Sequence, residues 1–195
     1  LISTRFEFTN ASAAYEYLST NTSGLGILLD YNSELTERLP TSLTLNKDEK
    51  FSSNSSTIGF IGAGNYASRI LIPAFKKTSA QLNSLVSANG TNSVIHGKKS
   101  GFLKASTNVS EMLADKNINT VVIASQHNTH AKYVVDSLNA NKHVWVEKPL
   151  AIDSDSLSLI EKAYSNSHRT SSKSLGGPQL MVGFNRRFAP PVSYT

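Results

Sequence analysis

Gly62, Gly64 and Ala67 stand in the order G-x-G-x-x-[G/A], directly after the apolar run Ile58-Gly59-Phe60-Ile61. Glycine at 62 permits a tight exit from a strand. Glycine at 64 lets the backbone approach a pyrophosphate with no side chain in the way, and Ala67 is small enough for the next helix to pack on the strand. The pyrophosphate would rest on free N–H groups at the helix N-terminus, where donors and dipole both favour an anion by up to about 2 kcal/mol. A glycine triplet alone is weak evidence, but here strand, turn and helix follow in order. The spacing predicts a dinucleotide site; the alternative is a glycine-rich structural turn.

The usual companion of such a turn is an acidic residue about twenty positions on, which holds the adenosine ribose hydroxyls. It is absent, because no Asp or Glu occurs anywhere in residues 51–110. The second strand ends instead in Ser87-Ala88-Asn89-Gly90. Ser87 or Asn89 has the chemistry to bond a ribose hydroxyl, and neither repels a 2′-phosphate. No arginine follows directly to clasp one, so NAD and NADP both remain open.

Two further stretches carry chemistry. Trp145-Val146-Glu147-Lys148-Pro149-Leu150 puts a carboxylate and an ammonium at the end of an apolar strand, where doubly wound folds bind ligands. Lys148 there could donate a proton or hydrogen bond to a substrate oxygen, or be a surface lysine in a strand-to-loop turn. Ser125-Gln126-His127-Asn128-Thr129-His130 follows the run Thr120-Val121-Val122-Ile123-Ala124 and would occupy the neighbouring crevice, with its polar groups toward cofactor ribose and nicotinamide. His130 reads equally as a helix-start histidine satisfied by backbone. With no cysteine in the chain and no third ligand at metal spacing, no metal is expected from His127 and His130.

Positioning these residues requires an alternation of strands and helices. Strands are expected at 58–61, 81–88, 102–106, 120–124, 144–146 and 180–184. Helices are expected from the glycine turn to about 77 and over 93–100, 109–114 and 154–164. Ala131, Val134, Val135 and Leu138 fall at i, i+3, i+4 and i+7, one face of another helix. The β-branched run at 120–124 suits a strand buried on both faces. The rhythm implies an α/β fold with a parallel, doubly wound sheet. Before it, residues 1–31 read as a short N-terminal strand-helix-strand, too small to bury a core alone. Residues 32–56, with Ser52-Ser53-Asn54-Ser55-Ser56, read as a linker.

The chain has 195 residues, 39% hydrophobic and 17% charged, which is the composition of a globular domain with extra pieces. Its net charge of +5 comes from scattered or paired basic residues, with no aromatic-interleaved stripe, so a solvated surface is expected rather than nucleic-acid binding. No apolar run is long enough to span a membrane and no signal peptide is evident, so a cytoplasmic location is the expectation. An exposed edge on the strand near residues 26–30 would favour self-association into a homo-oligomer. A start at Leu1 rather than Met suggests a fragment.

Gly59-Phe60-Ile61-Gly62-Ala63-Gly64 with Ala67, then Asn128-Thr129-His130 and Glu147-Lys148-Pro149-Leu150, resembles the Gfo/Idh/MocA oxidoreductases. Val182-Gly183-Phe184-Asn185-Arg186-Arg187-Phe188-Ala189-Pro190 is similar to the end of that family's nucleotide domain, so the resemblance covers about residues 57–190. It implies a Rossmann fold binding NAD or NADP, with Gly62, Gly64, Asn65 and Tyr66 at the pyrophosphate. It places Ser125, Gln126, His127 and His130 along the cofactor, Glu147 and Lys148 at the nicotinamide, and Arg186 near the mouth. It further implies hydride transfer to or from a secondary alcohol of a sugar or cyclitol, Lys148 as catalytic proton donor or acceptor, and a cis Lys148–Pro149 peptide. A substrate domain would begin at residues 191–195, so the chain alone is expected to bind dinucleotide and turn over little. Residues 1–31 resemble the closing strand-helix-strand of the medium-chain, zinc-type alcohol dehydrogenases, which would make the parent bi-domain. The rival reading from another class is a non-catalytic module that senses a dinucleotide or nucleotide-sugar.

Overall fold

The computed structural model describes residues 2–21, 25–31, 40–46, 55–170 and 176–188, and the side chains at 169, 170, 187 and 188 are outside that description. Most of the expected linker (32–39 and 47–54) and the expected start of a substrate domain (191–195) lie outside the described residues. The chain divides into two compact units, residues 1–40 and 41–195.

The first unit is a strand-helix-strand. β1 (Thr4–Glu7) pairs in parallel with β2 (Ile27–Asp30), with α1 (Ala11–Thr20) between them in sequence. Phe8 stacks on Tyr31 with ring centroids 4.4 Å apart, and Phe6 meets Tyr17 at 5.8 Å. Both members of the stacked pair remain exposed, as do Leu18 and Leu25.

The second unit is a seven-stranded sheet in the order β3-β6-β5-β4-β7-β8-β9. Its strands are β3 (Ser42–Thr44), β4 (Thr57–Ile61), β5 (Gln81–Val86), β6 (Lys104–Ser106), β7 (Thr120–Ile123), β8 (His143–Glu147) and β9 (Leu180–Gly183). All neighbours run parallel except β3, which is antiparallel to β6. The helices are α2 (Ile72–Lys76), α3 (Gly90–Ser100), α4 (Val109–Ala114), α5 (His127–Asn139) and α6 (Ser154–Thr170).

Both faces of the sheet are covered, as the composition of β7 requires. Val121 and Ile123 pack with Val134, Leu138, Val144, Val146 and Ile160. Val122, one residue out of phase, packs with Ile58, Phe60, Leu85 and Phe102 on the other face. β4 lies between β5 and β7; the chain leaves β4 toward β5 and leaves β7 toward β8, in opposite directions along the sheet. That switch point opens a crevice at the carboxyl ends of β4 and β7, the position where open α/β sheets take ligands.

Two elements differ from the sequence-based expectation. Ser42–Thr44, placed in the linker, forms the antiparallel edge strand β3. It is held by Ser106 Oγ and Thr107 N donating to Thr41 O, at 2.9 and 2.8 Å, and Leu45 packs against Gly97 of α3. The continuous helix expected after the glycine turn is instead a wide π-helical turn over Ala67–Leu71, followed by α2. Pro73 lacks an N–H and cannot donate to the carbonyl four residues back, which accounts for the altered winding ahead of it.

Candidate functional site

The glycine turn leaves β4 under tight constraint. Gly62 has φ +109°, and its N–H donates to Val86 O at 2.8 Å. A Cβ built on it would overlap the carbonyl oxygen of Ala124 and sit 2.8 Å from Ser125 N. Only glycine fits there. Gly64 is the opposite case, since a Cβ on it would meet nothing within 4 Å and would project into open space. Ala67 is buried, closing the first helical turn onto the sheet. Asn65 and Tyr66 lie on the exposed side of the turn.

At the end of β5, Ser87 and Asn89 face the same crevice. Their hydrogen bonds are partly committed. Ser87 Oγ donates to Asn89 O, and Asn89 Oδ1 caps α3 by accepting from Thr91 N at 3.1 Å. The Ser87 lone pairs and the Asn89 amide N–H groups are what remain for a ligand. Among the described residues, no carboxylate lines this end.

Beyond β7, Ser125 Oγ and Thr129 Oγ1 lie 2.7 Å apart, and Thr129 Oγ1 donates to Gln126 O at 2.7 Å. This fixes the entry into α5. Gln126 and His127 are exposed, but His130 is fully buried. Its Nδ1 is 2.7 Å from Pro149 O and its Nε2 is 3.2 Å from Ser125 O.

At the end of β8, Glu147 is buried and Lys148 exposed. Glu147 Oε2 accepts from Lys148 N at 3.1 Å, whereas Oε1 is buried with no partner among the described residues. The Lys148–Pro149 peptide is cis. From β9, Asn185 Nδ2 donates to Tyr66 Oη at 3.0 Å, tying the segment that carries Arg186 to the glycine turn.

These groups converge on two cavities that meet at Ala124 and Ser125. The larger, about 570 Å³, runs from Gly62 and Gly64 past Ser87 and Asn89 to Gln126 and Tyr133. The smaller, about 350 Å³, is lined by Tyr66, His127, His130, Glu147, Lys148 and Arg186, with Asn185 beside them. A long, two-ended ligand with a pyrophosphate in its middle fits this shape. Gly64 leaves room for close approach, the free N–H groups of the turn suit an anion, and the orphan Glu147 Oε1 calls for a hydrogen-bond donor.

Residues 56–172 match the family model described as an oxidoreductase family with an NAD-binding Rossmann fold, GFO_IDH_MocA. The chain belongs to the Gfo/Idh/MocA oxidoreductase family. It is 30% identical over 137 residues to a 4-carboxy-2-hydroxymuconate-6-semialdehyde dehydrogenase of a Sphingobium species, covering 70% of this chain and 41% of that protein. It is 32% identical over 91 residues to the myo-inositol 2-dehydrogenase of Thermotoga maritima, covering 47% of this chain and 25% of the relative. Its fold matches apo scyllo-inositol dehydrogenase from Lactobacillus casei with a TM-score of 0.61 and 22% identity, over 74% of this chain and 41% of that one. The chain therefore spans less than half the length of these relatives.

As a Gfo/Idh/MocA protein, the chain carries an NAD(P)-binding Rossmann domain. Every site residue named from the sequence lies at the carboxyl-end crevice or in the glycine turn beside it. Of the two readings of His130, along the cofactor or satisfied by backbone, the ring nitrogens meet the second, since both face backbone carbonyls in the wall between two loops. Sequence reasoning missed Asn185 as the partner of Tyr66, and Asn92 and Tyr133 as walls of the larger cavity. Asn185 stands next to Arg186 in the chain, which was the available signal. Asn92 and Tyr133 carried none, since each sits inside a helix whose facing only the fold decides. Among the described residues, no helix is long and apolar enough to cross a membrane.

Proposed function

We propose that this domain orients a nicotinamide dinucleotide for hydride exchange with a secondary alcohol of a sugar or cyclitol, and that Lys148 handles the proton. The observation that carries this reading is that Lys148 and the glycine turn open on two adjoining cavities that share Ala124 and Ser125 as walls. The backbone at Gly62, Gly64, Asn65 and Tyr66 would hold the pyrophosphate. Ser87 and Asn89 would face the adenosine ribose, with Ser125, Gln126 and His127 along the nicotinamide half. When bound, the dinucleotide supplies the hydride donor or acceptor.

The chain's own residues do the rest. The Lys148 ammonium would hold a proton at the substrate hydroxyl oxygen and pass it in either direction. Glu147 would receive a hydrogen bond on its free Oε1, and Arg186 would guard the mouth. Oxidoreductases dominate the relatives, and inositol dehydrogenases among them support a polyol substrate.

The strand-helix-strand of the first unit supports reading residues 1–31 as the close of a medium-chain alcohol-dehydrogenase domain in a bi-domain parent. In that parent, the present chain binds dinucleotide and leaves most substrate contacts to other segments.

The test is a titration with NADH and NADPH that reads the emission of Trp145, three residues before Lys148. Saturable quenching is expected, followed in the parent protein by a Lys148→Ala variant that keeps cofactor affinity and loses kcat. A folded chain that binds neither dinucleotide, or a Lys148→Ala parent with normal kcat, would refute the reading.

A further inference from the structure

His130 is unusual among the polar groups of the crevice. It is wholly buried, yet it sits between the two loops that carry the proposed chemistry. Nδ1 lies 2.7 Å from the carbonyl of Pro149, and Nε2 lies 3.2 Å from the carbonyl of Ser125. The first loop ends β8 and presents Lys148; the second ends β7 and lines both cavities.

Both neighbours are carbonyl oxygens, which only accept, so a ring nitrogen bonds to either one only where it carries a proton. The shorter distance is a good N–H···O length, while 3.2 Å is at the long limit. The proton therefore belongs on Nδ1, donated to Pro149 O. On the other side of Lys148, its own N–H is held by Glu147 Oε2 at 3.1 Å. The backbone of Lys148 is thus anchored on both flanks, by Glu147 before it and by His130 after it. The Lys148 side chain itself is exposed, with four rotatable bonds beyond Cα, so where its ammonium goes depends on how firmly that backbone is held.

We infer that His130 is a positioning residue for Lys148: its Nδ1–H bond to Pro149 O clasps the lysine loop to the start of α5 and so directs the ammonium to the nicotinamide end of the crevice. This rests on the proposed placement of Lys148. A bare core histidine would contribute only stability. A clasp predicts that Lys148 is misplaced when the bond is lost even though the fold and the dinucleotide site survive.

The experiment measures acetylation of Lys148 by acetic anhydride, read by peptide mass spectrometry, with and without saturating NADPH or NADH, whichever quenches Trp145. In the wild-type chain the dinucleotide should protect Lys148. His130→Phe, which fills the space without a donor, should lose that protection at a dinucleotide concentration that saturates the variant. His130→Asn brings an amide N–H near the Nδ1 position and should restore it. His130→Gln reaches the Nε2 position instead and should not.

Protection that persists in the folded Phe variant would overturn the clasp, as would Asn and Gln variants that behave alike. Should the Phe variant fail to fold, the comparison of Asn with Gln decides the matter by the same criterion. Absence of protection in the saturated wild-type chain would instead overturn the placement of Lys148, and the clasp with it.

Discussion

Gly62 is packed so closely on Ala124 that a Cβ at position 62 would overlap the Ala124 carbonyl oxygen. The two residues sit at the ends of β4 and β7, the strands that flank the crevice. Their contact sets its width at the point where the two cavities join. Gly62→Ala must both separate these strand ends and hold an alanine at φ +109°. The backbone conformation alone costs about 1–3 kcal/mol. Urea unfolding should show a loss of at least that size, together with loss of dinucleotide binding.

Gly64 gives the complementary case. No protein atom would meet its Cβ, so Gly64→Ala should leave the unfolding free energy within about 0.5 kcal/mol of wild type. The added methyl would stand where the proposed pyrophosphate would approach the backbone. Affinity for NADH and NADPH should fall together, by about tenfold, equivalent to about 1.4 kcal/mol. Equal affinity in a folded Gly64→Ala chain would show that no phosphate comes near this turn.

The contrast between these glycines shows what was legible in advance. G-x-G-x-x-A after an apolar run announces strand, turn and helix because each position has one steric duty. The β-branched run of β7 announces a strand with two covered faces because Val121, Val122 and Ile123 are apolar on alternate sides. β3 could not be read in the same way. Ser42–Thr44 has only three residues, and its pairing is dictated by β6, sixty residues on. The π-helical turn was hidden because the helical pattern overrode Pro73. His130 was legible as a helix-start histidine with two open readings, toward the cofactor or satisfied by backbone, and only the fold decides between them. A histidine at the start of a helix turns in or out according to what the neighbouring loop offers, and that loop is joined only by the fold.

The end of the larger cavity beside β5, proposed to take the adenosine ribose, carries Ser87 and Asn89 and, among the described residues, no carboxylate. Ser87→Asp would add an acceptor for ribose hydroxyls and a like charge against a 2′-phosphate. Like-charge juxtaposition costs several kcal/mol, so the ratio of NADH to NADPH affinity should rise by at least about tenfold. Trp145 quenching with both dinucleotides measures this directly. An unchanged ratio would place the adenosine ribose away from the end of β5.

Asp115 lies beside Lys104 at the start of β6, away from the crevice. Burial raises its pKa, but the N–H of Asn117, 2.9 Å from Oδ1, and the Lys104 ammonium, 3.3 Å from Oδ2, more than offset this. The carboxyl is therefore held below the ordinary 3.8. Because the folded pKa is the lower one, the unfolded chain binds more protons as the pH falls. The stabilisation is fully present above pH 3.8 and is lost as the pH drops through the folded value. Asp115→Asn keeps an oxygen for Asn117 but carries no charge for Lys104 and does not titrate. Its unfolding free energy should be lower than wild type near neutral pH and should fall less steeply below pH 4, with the two curves converging in acid. Parallel curves through that range would mean that Asp115 is ordinary in the folded chain and that the Lys104 pair contributes nothing.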